Sequence, residues 1–132
     1  MLFRSTIFAN KIVLEALNNK TIKELSKFEN IKTEVVYNTN TRFDFFLNKN
    51  DRKIFLEVKN VTLSIEKNVA EFPDAITSRG TKHLIKLIKA KKEGYESYIL
   101  YLIQREGCNQ FKIADKIDIE YKKAFIEAKK KV

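Results

Sequence analysis

The chain contains one cysteine, Cys108, and one histidine, His83, so it cannot form an intrachain disulfide or a zinc site of several cysteine and histidine ligands. Its three glycines and one proline exclude a collagen-like repeat and argue against a long flexible linker. No apolar run approaches the roughly 20 residues of a membrane span, and the first residues lack the apolar segment of a secretory signal. These absences predict a cytoplasmic protein whose 132 residues, 44% of them hydrophobic, fold as one domain.

Positive charge is in surplus, since 26 basic and 17 acidic residues give a net charge of +9. A surplus of this size favours a polyanionic partner, such as nucleic acid or an anionic membrane surface. Basic proteins with no nucleic-acid role also occur, and charge alone does not separate these alternatives. Motifs are needed to decide between them.

The apolar pattern predicts an α/β fold in which helices flank a mixed β-sheet. A capping box that begins at Thr21 marks the second helix, and Asp118 caps the last one. The strand over 97–104 is almost wholly apolar, which is typical of a central strand buried on both faces. The predicted elements are short helices over 10–18 and 22–28, strands over 31–37, 41–47 and 53–59 with an extension over 62–65, a helix over 75–92 with a break near Gly80, a strand over 97–104 and a helix over 118–130.

The second and third strands carry the residues that point to chemistry. Side chains alternate along a strand, so Arg42, Asp44 and Phe46 are expected on one face. A hairpin centred on the turn at 50–51 then sets Asp44 opposite Glu57. Directly opposed like charges destabilise a sheet, so two opposed carboxylates need a reason to be there.

A divalent cation would supply that reason, because Mg²⁺ prefers oxygen ligands and commonly takes one or two carboxylates. Lys59 follows Glu57 by two residues and shares its face, opposite Arg42 in the same register. An ammonium group there could stabilise charge on a phosphate or position an attacking water. The alternative is that Leu56–Lys59 is an ordinary half-exposed strand and the spacing is accidental.

Two further acids are candidates for the same cation. If Tyr37 faces Thr41 in the first hairpin, Glu34 falls opposite Asp44. Glu15 on the first helix is the other candidate. Both rank below Asp44 and Glu57.

The start of the helix over 75–92 is rich in groups that suit a phosphate. Thr77, Arg79, Lys82 and His83 are candidate nucleic-acid contacts there, and Lys86 one turn further on could follow a DNA backbone. Arg42 on the second strand is a sixth candidate contact. The alternative is a solvated basic face with His83 packed or capping.

Several short stretches along the chain form one recognisable pattern. They are Ala9-Asn10, Glu15-Ala16, Glu34-Val35, 42–45, 57–63, 72–84, Ile117-Asp118 and Tyr121. The stretches 57–63 and 72–84 are the most specific of them. Together they resemble the sugar fermentation stimulation protein A family over nearly the whole chain.

The resemblance implies a restriction-endonuclease-like fold with a PD-(D/E)xK core. It assigns Asp44 and Glu57 as metal-binding acids, together with the Val58 carbonyl, and Lys59 as the catalytic lysine. Phe43 stands where the motif name has proline, so Pro73-Asp74 is not that motif. The implied cofactor is Mg²⁺ or Mn²⁺, and the implied partner is DNA.

Members of the family are also described as DNA-binding and linked to the regulation of sugar metabolism. They carry an upstream barrel that resembles an OB-fold, and the resemblance implies that residues 1–132 match the nuclease-like half without it. Three hypotheses follow: a metal-dependent nuclease, a DNA-binding regulator that keeps the fold without turnover, and a basic scaffold with no nucleic-acid role. A homodimer remains open, and no membrane partner is expected.

Overall fold

The computed structural model describes residues 2–38, 41–104 and 107–131. No helix in these ranges combines the length and the apolar character needed to cross a membrane. In chain order the elements are α1 (Leu2–Asn18), a 3₁₀ turn (Lys23–Leu25), β1 (Asn30–Asn38), β2 (Thr41–Lys49), β3 (Arg52–Val61), β4 (Val69–Phe72), α2 (Ser78–Lys92), β5 (Glu96–Ile103), β6 (Gln110–Ile113) and α3 (Ile119–Lys131).

The main sheet is mixed, as predicted, with the strand order β1-β2-β3-β5. Strands β1, β2 and β3 pair antiparallel, whereas β3 and β5 pair parallel. Phe46 lies opposite Phe55 and Leu47 opposite Ile54, which is the register predicted from a turn at 50–51. The first hairpin has its predicted register as far as Val36, with Lys32 opposite Phe46, but the predicted Tyr37–Thr41 pair is wrong because the register shifts after Val36 and Thr41 pairs with Asn38.

Apolar side chains fill both faces of this sheet. Alternation along β3 sends Ile54, Leu56 and Val58 towards α1 and Phe55 towards α2. Tyr121 of α3 is fully buried in a third cluster that also takes in α2 and β6. The α1 side is packed by Ala9, Val13, Leu17, Leu25, Phe28, Phe45, Leu47, Ile54, Leu56 and Val58.

The N-terminal helices differ from the prediction. Helix α1 begins at Leu2 instead of near residue 10, because the buried stripe of Val13 and Leu17 continues back to Ala9. The helix predicted over 22–28 is only the 3₁₀ turn Lys23–Leu25. The Thr21 hydroxyl donates to the Ala16 carbonyl at 3.0 Å and so caps no second helix.

Helix α2 starts at Ser78 because the Thr77 hydroxyl accepts a hydrogen bond from Gly80 N at 3.0 Å. The predicted break near Gly80 is wrong, since the helix runs through it. A Cβ at Gly80 would lie 2.8 Å from Thr77 Oγ1 and 3.2 Å from Tyr121, so glycine there permits close packing against α3. The Asp118 cap on α3 is confirmed, with Oδ1 accepting from Tyr121 N at 3.0 Å.

The apolar strand β5 is the terminal strand of its sheet and is mostly half-buried, not central as predicted. Its apolar character arises because Leu100 packs on the α1 side and Tyr101 on the α3 side. The predicted extension over 62–65 is also wrong, since β3 ends at Val61 and Leu63 makes only an isolated bridge. Strands β4 and β6, four residues each, form a separate parallel pair that the pattern did not predict.

Candidate active site

Strands β2 and β3 separate beyond the Phe45–Leu56 pair, and two carboxylates bridge the gap. Asp44 Oδ2 accepts a hydrogen bond from Val58 N at 2.8 Å. Glu57 Oε1 accepts one from Asp44 N at 3.1 Å. Each acid thus replaces a missing rung of the ladder, and the two acids predicted to face each other do meet here.

The alternation of side chains breaks at Asp44. The β1–β2 ladder omits the Glu34–Asp44 pair, and Glu34 has a φ of 51°. Phe43 packs on the α2 side and Phe45 on the α1 side, although strict alternation would put them together. The prediction that Arg42, Asp44 and Phe46 share a face is therefore wrong, because Asp44 turns away from the α2 side on which Phe46 packs.

Asp44 turns towards α1, where Asn10 Nδ2 donates to its Oδ1 at 3.1 Å. The Asn10 Oδ1 atom is buried and has no hydrogen-bond partner within the described ranges. The role of Asn10 was not predicted from the sequence. The available signal was a polar residue directly beside the buried stripe of Ala9 and Val13, together with its place in the family resemblance.

On the other side of the carboxylate pair, Glu57 meets Lys59 and His83. The distance from Glu57 Oε2 to His83 Nδ1 is 2.5 Å, and to Lys59 Nζ it is 3.4 Å. Lys59 Nζ lies 3.0 Å from His83 Nδ1. Only 3% of Glu57 and 8% of His83 is exposed, so these groups interact largely out of water. The sequence suggested His83 as a nucleic-acid contact but gave no sign of this contact with Glu57.

Burial and the neighbouring carboxylate raise the pKa of Asp44 to about 7, although hydrogen bonds from Val58 N and Asn10 partly oppose the rise. Burial alone would raise the pKa of Glu57 as well, but the His83 hydrogen bond and the Lys59 charge lower it to about 2. The cation-free pair therefore holds a proton on Asp44 below about pH 7.

The donor set suits a hard divalent cation. Both oxygens of Asp44 and Oε1 of Glu57 each accept from one N–H donor and keep a second lone pair, whereas Glu57 Oε2 meets both His83 and Lys59. Oxygen donors of this kind are the ligands that Mg²⁺ and Ca²⁺ prefer. Glu15 and Glu34 are both exposed, and the described ranges contain no group of three or more acids, histidines or cysteines placed to hold a metal ion. Neither of them completes a three-acid set, so Asp44 and Glu57 are the remaining acidic candidates within these ranges.

An open groove of about 740 Å³ lies beside the carboxylate pair. Four of the six predicted nucleic-acid contacts line it: Arg42, Arg79, Lys82 and His83. Thr77 does not line it and caps α2 instead, while half-buried Lys86 lies further along the helix. Because His83 both lines the groove and contacts Glu57, the groove and the carboxylates are adjacent.

A family model, several relatives and a solved structure all match the chain to the same protein family. A family model described as the sugar fermentation stimulation protein RE domain matches residues 7–132. The sugar fermentation stimulation protein homolog of Pelagibacter ubique is 54% identical over 126 residues, which cover 96% of the chain and 54% of the relative. The homolog of Marinomonas sp. is 41% identical over 128 residues, which cover 96% of the chain and 50% of the relative. The chain thus spans about half the length of these relatives.

The fold is similar to that of a solved structure, Pyrococcus furiosus SfsA in complex with Ca²⁺. The TM-score is 0.88 and the identity 25%, over 96% of the chain and 54% of the relative. The predicted restriction-endonuclease-like α/β fold is thereby confirmed. Since the family model matches nearly the whole length, the chain belongs to the sugar fermentation stimulation protein family.

Proposed function

We propose that the protein binds DNA along its basic groove and hydrolyses phosphodiester bonds with a divalent cation held by Asp44 and Glu57. The observation that carries the proposal is the reciprocal bridge between β2 and β3, which draws two carboxylates together next to His83, a residue that lines that groove. Half-buried Asp44 and buried Glu57 repel each other when both are charged, so the sheet bears a cost from their pairing unless something else uses them.

The cation would be Mg²⁺ or Mn²⁺, held by Asp44, Glu57 and the Val58 carbonyl. Support comes from the donor chemistry of the site and from the relative that was solved with Ca²⁺, which takes the same kind of oxygen ligand. When bound, such an ion supplies Lewis-acid stabilisation of charge and lowers the pKa of a coordinated water.

Lys59 has the position of the assisting cation. Its ammonium nitrogen is 3.4 Å from Glu57 Oε2, and its side chain is 14% exposed. A charge fixed in so dry a place is effective against negative charge that develops on a phosphate, because little water screens it. In the proposed reaction Lys59 stabilises the phosphate oxygens and helps to orient the attacking water.

The groove supplies the DNA contacts. Arg42 on β2 and Arg79 and Lys82 on α2 line its two sides, so a strand that lies in it would meet cations from both. These cations would bind phosphates without reading the base sequence. The affinity is then expected to fall steeply with salt, since each neutralised phosphate releases counterions.

The second candidate is a DNA-binding regulator of sugar metabolism genes that keeps the fold without turnover. Two facts favour it: the family takes its name from sugar fermentation, and the described ranges offer the cation only two acids. It predicts salt-dependent DNA binding that survives removal of either carboxylate.

The deciding experiment incubates labelled single-stranded and duplex DNA, and RNA, with the protein in Mg²⁺, Mn²⁺ or EDTA. Asp44→Asn and Lys59→Met remove the two functions without shortening the side chains much. Glu15→Gln, purified in parallel, is the matched control because that acid is exposed.

Metal-dependent cutting that is lost in Asp44→Asn and Lys59→Met but retained in Glu15→Gln would support the nuclease. Salt-sensitive binding with no cutting by any protein would leave the regulator. The absence of both binding and cutting would overturn both candidates and favour the basic scaffold.

A further inference from the structure

We propose that His83 is a positioning residue that keeps Lys59 from closing onto Glu57, and so leaves both groups available to the cation site. The proposal rests in part on the proposed function, because it concerns the same carboxylate pair. It starts from a competition in the structure: Glu57 Oε2 has two cationic or potentially cationic neighbours, and the nearer is the histidine.

The short distance between His83 and Glu57 indicates that the two groups share a hydrogen. Nδ1 of His83 and the carboxylate oxygen Oε2 are 2.5 Å apart, which is tolerable only if a hydrogen lies between them. With that hydrogen on the line to Glu57, Nδ1 has no lone pair left to accept from Lys59. The 3.0 Å contact between Lys59 Nζ and His83 Nδ1 is therefore not a hydrogen bond from the lysine.

Lys59 therefore makes no close hydrogen bond to His83 or to Glu57. Its ammonium group lies 3.4 Å from Glu57 Oε2, well beyond the roughly 2.7–2.9 Å typical of a charge-assisted bond. A close Lys59–Glu57 pair would turn the lysine hydrogens towards Glu57 and hold a positive charge against the carboxylate that is to bind a cation. The histidine takes the place that this pair would occupy.

His83 is well suited to hold that place. It lies on α2, whose neighbouring residues Leu84 and Leu87 are buried, so its ring is carried by a packed helix. Lys59, in contrast, is an unbranched side chain on a flexible four-carbon stem and can follow Glu57 once the ring is gone. Loss of the histidine is expected to allow a buried ion pair at the cost of the cation site.

The test measures Ca²⁺ affinity by calorimetry with the metal ion alone, so no turnover is needed. His83→Ala is expected to lower the affinity by about tenfold or more, as is typical when a group that orients a ligand is lost. His83→Asn puts an amide N–H near the Nδ1 position and should keep the affinity within a few-fold of wild type. Lys89→Ala on the same helix is the control and should change nothing, because Lys89 is exposed and does not line the groove.

The discriminating variant combines His83→Ala with Lys59→Met. If His83 acts by holding Lys59 away, removal of the lysine restores Ca²⁺ affinity to the level of wild type or above. If the double variant binds Ca²⁺ as weakly as His83→Ala, the histidine acts in some other way and the proposal fails. Should the alanine variant not fold, His83→Leu fills the space of the ring without a donor and takes its place.

A second measurement needs no metal and separates this proposal from the proposed function. Thermal melting in EDTA compares the effect of Lys59→Met in wild type and in His83→Ala. A closed Lys59–Glu57 pair in the alanine background should make Lys59→Met lower Tm there by roughly 3 °C or more beyond its effect in wild type. Equal effects in the two backgrounds would overturn the proposal, even if wild type bound no Ca²⁺ and the cation site itself were abandoned.

Discussion

Replacement of Asp44 by asparagine should stabilise the cation-free protein at alkaline pH. The pKa of Asp44 is raised from 3.8 to about 7, chiefly by burial and then by Glu57. An acid with a raised pKa contributes stability that is fully present below pH 3.8 and is lost as the pH rises through about 7. Asparagine cannot lose a proton, so the variant escapes that loss.

The expected size of the stabilisation follows from the same two pKa values of Asp44. At about 1.4 kcal/mol for each pH unit, a rise from 3.8 to about 7 corresponds to about 4 kcal/mol in the free energy of unfolding. The lowered pKa of Glu57 acts below pH 4.5 and so leaves the range from pH 5 to 8 undisturbed. Part of this loss occurs between pH 3.8, the pKa of Asp44 in the unfolded chain, and pH 5. About 2–3 kcal/mol of the loss should therefore appear between pH 5 and 8.

The hydrogen bonds around position 44 can be satisfied in both wild type and the Asp44→Asn variant. The asparagine side chain in the Asp44→Asn protein would still accept from Val58 N through its carbonyl oxygen. Its new amide N–H₂ would face Asn10, whose own carbonyl oxygen has no partner within the described ranges and could accept after a flip of the Asn10 amide. The pH-independent cost of the substitution is therefore expected to be small.

The assay is urea unfolding of wild type and Asp44→Asn in EDTA at pH 5, 6, 7 and 8. The difference between the two proteins at each pH removes the titrations that they share. A difference that stays flat from pH 5 to 8, or one that favours wild type as the pH rises, would refute the reasoning. Saturating Ca²⁺ at pH 8 should reverse the order, because only wild type retains both carboxylates.

Three other substitutions test the groove and the helix junction. Arg79→Ala should weaken DNA binding and reduce the salt slope of the affinity by about one, whereas Lys89→Ala, on the part of α2 outside the groove, should do neither when titrated by fluorescence anisotropy. Gly80→Ala should destabilise by about 1–3 kcal/mol in urea unfolding, because its Cβ would stand 2.8 Å from Thr77 Oγ1; an unchanged midpoint would contradict this. Asp118→Ala removes acceptors from two backbone N–H groups and should lower Tm clearly, with Asp118→Asn recovering part of the loss.

The sheet register was predictable because it depends on local signals. The turn at 50–51 lies midway between two apolar strands, and the pairing of Leu47 with Ile54 follows from it. The same arithmetic brought Asp44 and Glu57 together. Sequence could go this far because a hairpin joins residues that are close along the chain.

Contacts between distant elements were not predictable in the same way. Glu57 and His83 are 26 positions apart and meet only because α2 packs across the sheet, which no local pattern encodes. The turn of Asp44 towards Asn10 requires irregularities in β1 and β2 at the same level, and the positive φ falls on Glu34, which is not a glycine. The alternation of side chains along β2 therefore predicted the wrong face of the sheet for Asp44.

The limits of the secondary-structure elements were mispredicted for a related reason. The pattern at Thr21 reads as a capping box, but its hydroxyl finds the Ala16 carbonyl of the preceding helix instead. Strands β4 and β6 are four residues each, too short for alternation to show. Their pairing with each other defines them, and that pairing is also a long-range contact.

The hydrogen bonds that join β2 to β3 through Asp44 and Glu57 also bear on which metal ion the proposed site would prefer. A carboxylate on a free side chain follows the ion that it binds, but these two are fastened to backbone N–H groups of the opposite strand. Their separation is thus a property of the sheet. Oxygen lies about 2.0–2.1 Å from Mg²⁺ and about 2.3–2.6 Å from Ca²⁺, so in the proposed site strand spacing would set the ionic radius that fits. Core substitutions beneath these strands should then alter metal selectivity without touching a ligand.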